Sequence, residues 1–489
     1  MFLNLLINNC PGKHISLQKS VSVLLMVCLI SSNTILFAQQ KIRIACIGNS
    51  ITAGYRLQHP ETEAYPAQLQ QLLGTNYEVM NFGVSAKTVV HTGNAYTATD
   101  KYKQALLSNP NIVFIKLGTN DSRLPYRSDI AQHFESDYTN IINSFRSLTS
   151  KPRIILLLPV SSYLTDTSRQ TDAAIVQWVL PHIREVAFKE KLELIDLHSI
   201  TATKPELFPD SLHPSVNGAT IIAKRLYEAV MLKTDRKFDI FEKIEASYKT
   251  SSFYGYDCAD FLFKDREAKI VKPRFAAPGH PWIWRARFWG HEPQTDIALL
   301  DRGFHLVYCD ASELFGNAEA VNLWNAFYTF LHKAGLAKRV AMEGMSRGGV
   351  YIYNWAAVNP GKVSCIYADA PVLDLKSWPG GKGKGPGSKA DWEIFKKDYG
   401  YSTEEETADF KNNPMDKIAE IVKGKYPMLH VVGDADEVVP VDENTAPFEK
   451  MILAAGGDIK VIHKPGIGHH PHSLANPQPI VDFILKSTK

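Results

Sequence analysis

What this 489-residue chain has little of narrows it first. It holds six cysteines, and once Cys10 and Cys28 of the N-terminal stretch are set aside, Cys46, Cys258, Cys309 and Cys365 lie far apart. Three of these four sit in apolar strand-like runs. Such spacing excludes a disulfide framework and a paired-cysteine zinc site, and it reads as small core residues. No charge of one sign dominates: 54 Lys and Arg face 51 Asp and Glu, for a formal net charge of +3. No nucleic-acid partner is implied. There is no internal repeat, no long Pro/Ser linker, and the apolar run at 21–30 is too short to span a membrane.

Residues 1–38 read as an export signal, with Lys13 and Lys19, the apolar run 21–30, and Leu36-Phe37-Ala38 before Gln39. Val27 before Cys28 is not the small residue normal at a lipoprotein cysteine. The expectation is a secreted or periplasmic protein with no membrane attachment after the signal is removed. A chain this long exceeds one ordinary core. The charged break at 233–237 divides it into a domain at 41–233, a linker helix at 234–248 and a second domain at 249–489.

The first domain is organised around 41–52, KIRIACIGNSIT. A mostly apolar, β-prone run stops at Gly48-Asn49-Ser50, which places a hydroxyl at the carboxyl edge of a sheet, where open α/β folds bind ligands. Further strands are expected at 77–82, 112–117, 153–160 and 192–197, with helices between them, the clearest at 173–189. This alternation specifies a parallel sheet covered on both faces. Each strand exit is polar: Asn81-Phe82-Gly83, then Gly118-Thr119-Asn120-Asp121, then Asp210-Ser211-Leu212-His213-Pro214. His213 can take the proton of Ser50 while Asp210 orients the imidazole, and the N–H groups of Gly83 and Ser50 and the Asn120 amide can face an oxyanion. This ordered set resembles the SGNH (GDSL-type) hydrolases, whose sheet is flavodoxin-like. The resemblance implies Ser50 as nucleophile, Gly83 and Asn120 as oxyanion donors, and Asp210 with His213 completing the set. Asn49 stands where many relatives carry aspartate.

In the second domain, strands are expected at 254–263, 268–276, 305–308, 339–343, 363–368, 428–432 and 460–463, opening with an antiparallel pair. Gly344-Met345-Ser346-Arg347-Gly348 passes from strand to helix, a tight turn that glycines permit. An acid follows one later strand, in Gly433-Asp434-Ala435-Asp436, and a histidine the next, in Gly468-His469-His470-Pro471-His472. This half resembles the α/β-hydrolase family. The resemblance aligns Ser346 as nucleophile, Asp436 as acid with Asp434 in reserve, and His469 as base with His470 in reserve; His472 is read as a pocket or surface residue. It also implies an oxyanion donor from the loop 277–282 and a second from the N–H of Arg347. Trp282, Trp284, Arg285 and Arg287 are substrate-binding candidates, for rings stack on sugars and arginines pair with uronates; core packing is the rival reading. The Gly/Lys-rich stretch 378–389 is either a lid over Ser346 or a solvated insertion.

The resulting expectation is an α/β protein of two domains: an exported serine carbohydrate esterase needing no metal or other cofactor. Its SGNH half deacetylates a polysaccharide or oligosaccharide, and its α/β-hydrolase half cleaves a second ester, whether acetyl, methyl or feruloyl. Two alternatives stand beside it. In one, a single half is catalytic and the other binds carbohydrate or is structural. In the other, the substrate is a lipid or thioester.

Overall fold

The computed structural model describes residues 41–488, so the export signal read at 1–38 lies outside the described residues. Residues 42–488 form one unit with two sheets. The first contains β1 (Ile42–Gly48), β2 (Tyr77–Gly83), β3 (Ile112–Lys116), β4 (Arg153–Leu157) and β5 (Glu193–Ile195), in spatial order β2-β1-β3-β4-β5. Every pairing is parallel. Ala45, Ile47, Val113 and Ile115 enter the core on one face, while Ile44, Cys46 and Phe114 enter the core on the other. Burial on both faces explains why these strands are apolar runs rather than alternating ones.

Several elements are shorter than their sequence suggests, β4 among them, which ends at Leu157. The helix expected over 173–189 is two, Asp172–Trp178 and Leu180–Lys189, because Pro181 in the first turn of the second lacks the N–H needed to continue the first. β5 stops at Ile195 because Asp196 caps the next helix, accepting from the Ser199 N–H.

The second sheet adds β6 (Lys249–Phe253), β7 (Tyr256–Phe263), β8 (Arg266–Val271), β9 (Trp282–Ala286), β10 (His305–Cys309), β11 (Val340–Met345), β12 (Val363–Asp369), β13 (Met428–Gly433) and β14 (Ile459–Lys464). Their order is β14-β13-β12-β11-β9-β10-β8-β7-β6. The β6–β7–β8–β10 pairings are antiparallel and the rest parallel. β9 is the correction here: the aromatic stretch is a central strand between β10 and β11. The linker helix is a second correction. The helical content of residues 234–248 is the 3-10 turn Ile240–Glu242, started by Asp239 accepting from the Phe241 N–H. Phe238 leaves it to stack on His280, and Ile240 enters the second core.

The four described cysteines are free and buried, and burial raises each thiol's pKa, as the core reading requires. Among the described residues no helix is long and apolar enough to cross a membrane.

Two candidate active sites

Ser50 opens the short helix Ser50–Ala53 directly beyond β1. Its Oγ lies 2.9 Å from His213 Nε2, and His213 Nδ1 lies 2.8 Å from Asp210 Oδ2. The other oxygen of Asp210 accepts from the N–H groups of His213 (2.7 Å) and Leu212 (3.1 Å). Burial pushes the Asp210 carboxyl up, but these bonds and the imidazole outweigh it, so the group titrates below the ordinary aspartate range. Arg56 adds a contact from Nε to Asp210 Oδ2 at 2.9 Å, and Tyr55 meets the His213 ring edge-on with centroids 4.9 Å apart.

Ser346 occupies the turn between β11 and the helix Gly348–Val358 with φ of 49°, a left-handed conformation that costs a non-glycine residue of order 1–3 kcal/mol. A Cβ on Gly344 would stand 2.7 Å from the Gly348 carbonyl, and one on Gly348 would stand 2.8 Å from the Ala286 carbonyl. Ser346 Oγ lies 3.0 Å from His469 Nε2, and His469 Nδ1 lies 2.7 Å from Asp436 Oδ2. Asp436 Oδ1 accepts from the N–H groups of Val438 (2.9 Å) and Val439 (2.8 Å). The reserves stand elsewhere: Asp434 contacts His463, and His470 is exposed. His472 is buried rather than at the surface, with Nδ1 2.7 Å from Asp369 Oδ1.

Residues 46–221 match the GDSL-like Lipase/Acylhydrolase family, and residues 325–488 match the Prolyl oligopeptidase family. The chain joins a GDSL-like half to an α/β-hydrolase-like half. An acetylxylan esterase of Xylanibacter ruminicola is 33% identical over 211 residues, covering 39% of this chain and 44% of that protein. The chain therefore spans less than half the length of that relative. Two solved structures are also similar. Porphyromonas gingivalis dipeptidyl peptidase 4 is 14% identical with a TM-score of 0.38, covering 50% of this chain and 36% of that one. The native M. smegmatis aryl esterase is 18% identical with a TM-score of 0.32, covering 38% and 97% respectively.

In the GDSL-like half, Asn120 and Gly83 have different surroundings. Asn120 Oδ1 accepts from Gln170 Nε2 at 2.9 Å, and its Nδ2 donates to the Lys87 carbonyl at 2.9 Å. Those two bonds fix the amide's orientation and leave one N–H of Nδ2 to offer. Gly83 is engaged instead: its N–H donates to Asn81 Oδ1 at 2.9 Å, while Asn81 Nδ2 donates to the Thr52 carbonyl at 2.8 Å. A Cβ on Gly83 would lie 2.2 Å from the Ala53 N. Gly83 thus lets β2 pack onto the backbone of the Ser50 helix, with Asn81 as the clamp. Asn81 was legible only as part of a motif, and Gln170 carries no sequence signal at all. Asp121 is wholly buried and accepts from the Val89 and Val90 N–H groups at 2.9 and 3.0 Å, and burial pushes its pKa up to about 7 despite those bonds.

In the α/β-hydrolase-like half, the substrate-binding assignment of Trp282, Trp284 and Arg285 is overturned, since they are 1%, 0% and 1% exposed within β9. The two rings pack in the core beside Trp324 and Tyr328. The Arg285 guanidinium pairs with Asp296, and with Glu343 at 3.1 Å. Arg287 leaves the end of β9 and pairs with Glu313 at 3.4 Å. The expected oxyanion loop 277–282 is also displaced, because it enters β9 at its amino end. Register pairs Gly344 with Ala286, so Arg287 and Phe288, both at positive φ, follow β9 on the edge where Ser346 follows β11. The N–H of Arg347 finds no acceptor among the described residues, and its guanidinium pairs with Asp391 at 2.7 Å. In the stretch 378–389, Lys382 pairs with Glu404 and Lys384 with Asp442, so two of its three lysines are neutralised internally.

Proposed function

We propose that the chain is an exported two-site serine hydrolase acting on esterified carbohydrate: the Ser50 site removes acetyl groups, and the Ser346 site cleaves a second acetyl, methyl or feruloyl ester. One observation carries the reading: each serine hydroxyl rests on the Nε2 of a histidine whose Nδ1 rests on an aspartate. In each site the histidine takes the serine proton as Oγ attacks the ester carbonyl. It then returns that proton to the leaving alkoxide as the carbonyl–oxygen bond breaks. Water attacks the acyl-serine by the same route, releasing acid and free enzyme. Asn120 and the Ser50 N–H serve the first oxyanion. The N–H of Arg347, with one from 287–288, serves the second. The acetylxylan esterase relative supports the choice of acetyl ester. Residues 41–233 and 249–489 are taken as the two functional domains, and secretion or periplasmic export as the location.

A second reading applies to Ser346 alone, because the Prolyl oligopeptidase match favours amide cleavage there. The same triad performs it, with His469 protonating the leaving amine. The test is a panel of acetylated xylan, acetylated and methylated pectin, feruloylated arabinoxylan, a long-chain lipid ester and dipeptidyl anilides. Acetate released from xylan, together with a second ester product, is the expected result. Cleavage confined to anilides or to the lipid ester overturns the carbohydrate reading.

A further inference from the structure

Three imidazoles converge beyond β14, where the chain runs His469-His470-Pro471-His472. One ring nitrogen from each lies within 4.8 Å of the others. The ring centroids stand 5.1, 4.8 and 4.7 Å apart at interplanar angles of 78°, 79° and 80°, so the rings close on a common point from three directions instead of stacking. His469 Nδ1 is held by Asp436 and His472 Nδ1 by Asp369, each at 2.7 Å. A carboxylate behind each ring fixes its tautomer, leaves Nε2 as the outward ligand and raises its basicity, which is the usual support of a metal-binding histidine.

The loop is anchored as well. Lys464 Nζ donates to the Pro471 carbonyl at 2.6 Å and the Ser473 carbonyl at 3.3 Å, and the Ser473 N–H donates to Asp369 at 2.8 Å. His470 is the exposed member of the three. His472 also lines a cleft of about 490 Å³. Of the outward nitrogens of His469 and His472, that of His469 has an internal partner, the Ser346 hydroxyl.

We propose that His469, His470 and His472 form an inhibitory Zn²⁺ site. The ion takes the His469 Nε2 lone pair that otherwise receives the Ser346 proton, so Ser346 keeps its hydrogen and does not attack. This rests on Ser346 being the nucleophile of the second site. Zn–N bonds of about 2.0–2.1 Å in tetrahedral geometry draw the three nitrogens closer than they stand, and a swing of the exposed His470 ring closes the gap. Water fills the fourth position. His213 stands in no such cluster among the described residues, so the Ser50 site is untouched by the ion.

The experiment titrates ZnCl₂ into the EDTA-treated, dialysed full chain by calorimetry, in wild type, H470A and S346A, and follows both activities. Wild type is expected to bind one ion. S346A binds at least as tightly, since nothing competes for Nε2, and H470A binds about tenfold or more weakly. Zinc suppresses Ser346-dependent hydrolysis reversibly to EDTA, spares Ser50-dependent acetate release, and no longer suppresses H470A, whose zinc-free activity is that of wild type. No stoichiometric binding in wild type, or equal binding by H470A, overturns the site. An S346A protein that keeps every activity overturns the nucleophile assignment instead, and the calorimetry still decides whether the ion binds.

Discussion

Single side chains set the chemistry, and two of them make sharp predictions. Asn120 offers one amide N–H because Gln170 and the Lys87 carbonyl fix the rest of the group. Asn120→Ala is expected to lower kcat of the Ser50 activity about 10²–10³-fold with little change in KM. Gln170→Leu, which frees the amide to flip, gives a smaller kcat loss; steady-state kinetics on acetylated xylan measures both. Lys116 is wholly buried at the end of β3 with no partner for its ammonium among the described residues, and burial lowers its pKa from 10.5 to about 7. The unfolded chain binds the proton more tightly, so stability climbs as pH rises from about 7 toward 10.5. Lys116→Met is expected to stabilise at pH 7 by on the order of 1–4 kcal/mol, and the gain shrinks as pH rises. Thermal melts at neutral and alkaline pH read it. Ser50, Asp210, His213, Ser346, Asp436 and His469 were all legible as residues, because a strand exit, a glycine turn and a fixed chain order leave local marks. Gln170 and Lys116 were not: one matters through a single long-range bond, and the other looks like the end of an ordinary strand.

Among the elements, β9 shows where sequence reading stops. Trp282-Ile283-Trp284-Arg285-Ala286 has the composition of a sugar-binding face, and an arginine argues against a central strand. What admits Arg285 is a pair of acids 11 and 58 positions further on, Asp296 and Glu343, and no local pattern announces them. Burial opposes the charge on Arg285, yet the two carboxylates hold its pKa above the ordinary arginine value. Arg285→Met leaves two carboxylates buried without a cation beneath the Ser346 turn, and is expected to destabilise by about 3–5 kcal/mol. Denaturant unfolding monitors the loss. The other parallel strands were legible for the opposite reason, since burial on both faces writes itself as continuous apolar sequence.

At the scale of the whole molecule, the two halves are joined by buried charge and not by a flexible tether. Arg225 of the GDSL-like half meets Asp301 of the other at 2.7 Å, both side chains nearly inaccessible, and Arg302 reaches Glu228 at 3.2 Å. Tyr256 donates to the Leu194 carbonyl at 3.1 Å, and Lys191 pairs with Asp257. Asp301→Ala leaves Arg225 and Arg302 to share the half-exposed Glu228 as their remaining carboxylate and is expected to lower the melting temperature while both triads keep their geometry, which calorimetry with residual activity assays checks. The sequence marked the boundary by its charge but gave no sign of these contacts, which pair residues 62 to 76 positions apart. The central claim is that one fixed body holds two independent serine sites. It is tested most directly by product release from acetylated xylan and from the second ester by wild type, S50A, S346A and the double variant. Each single variant is predicted to lose one product and keep the other, and the double variant to lose both. Loss of both products from either single change, in a protein that still folds, would contradict it.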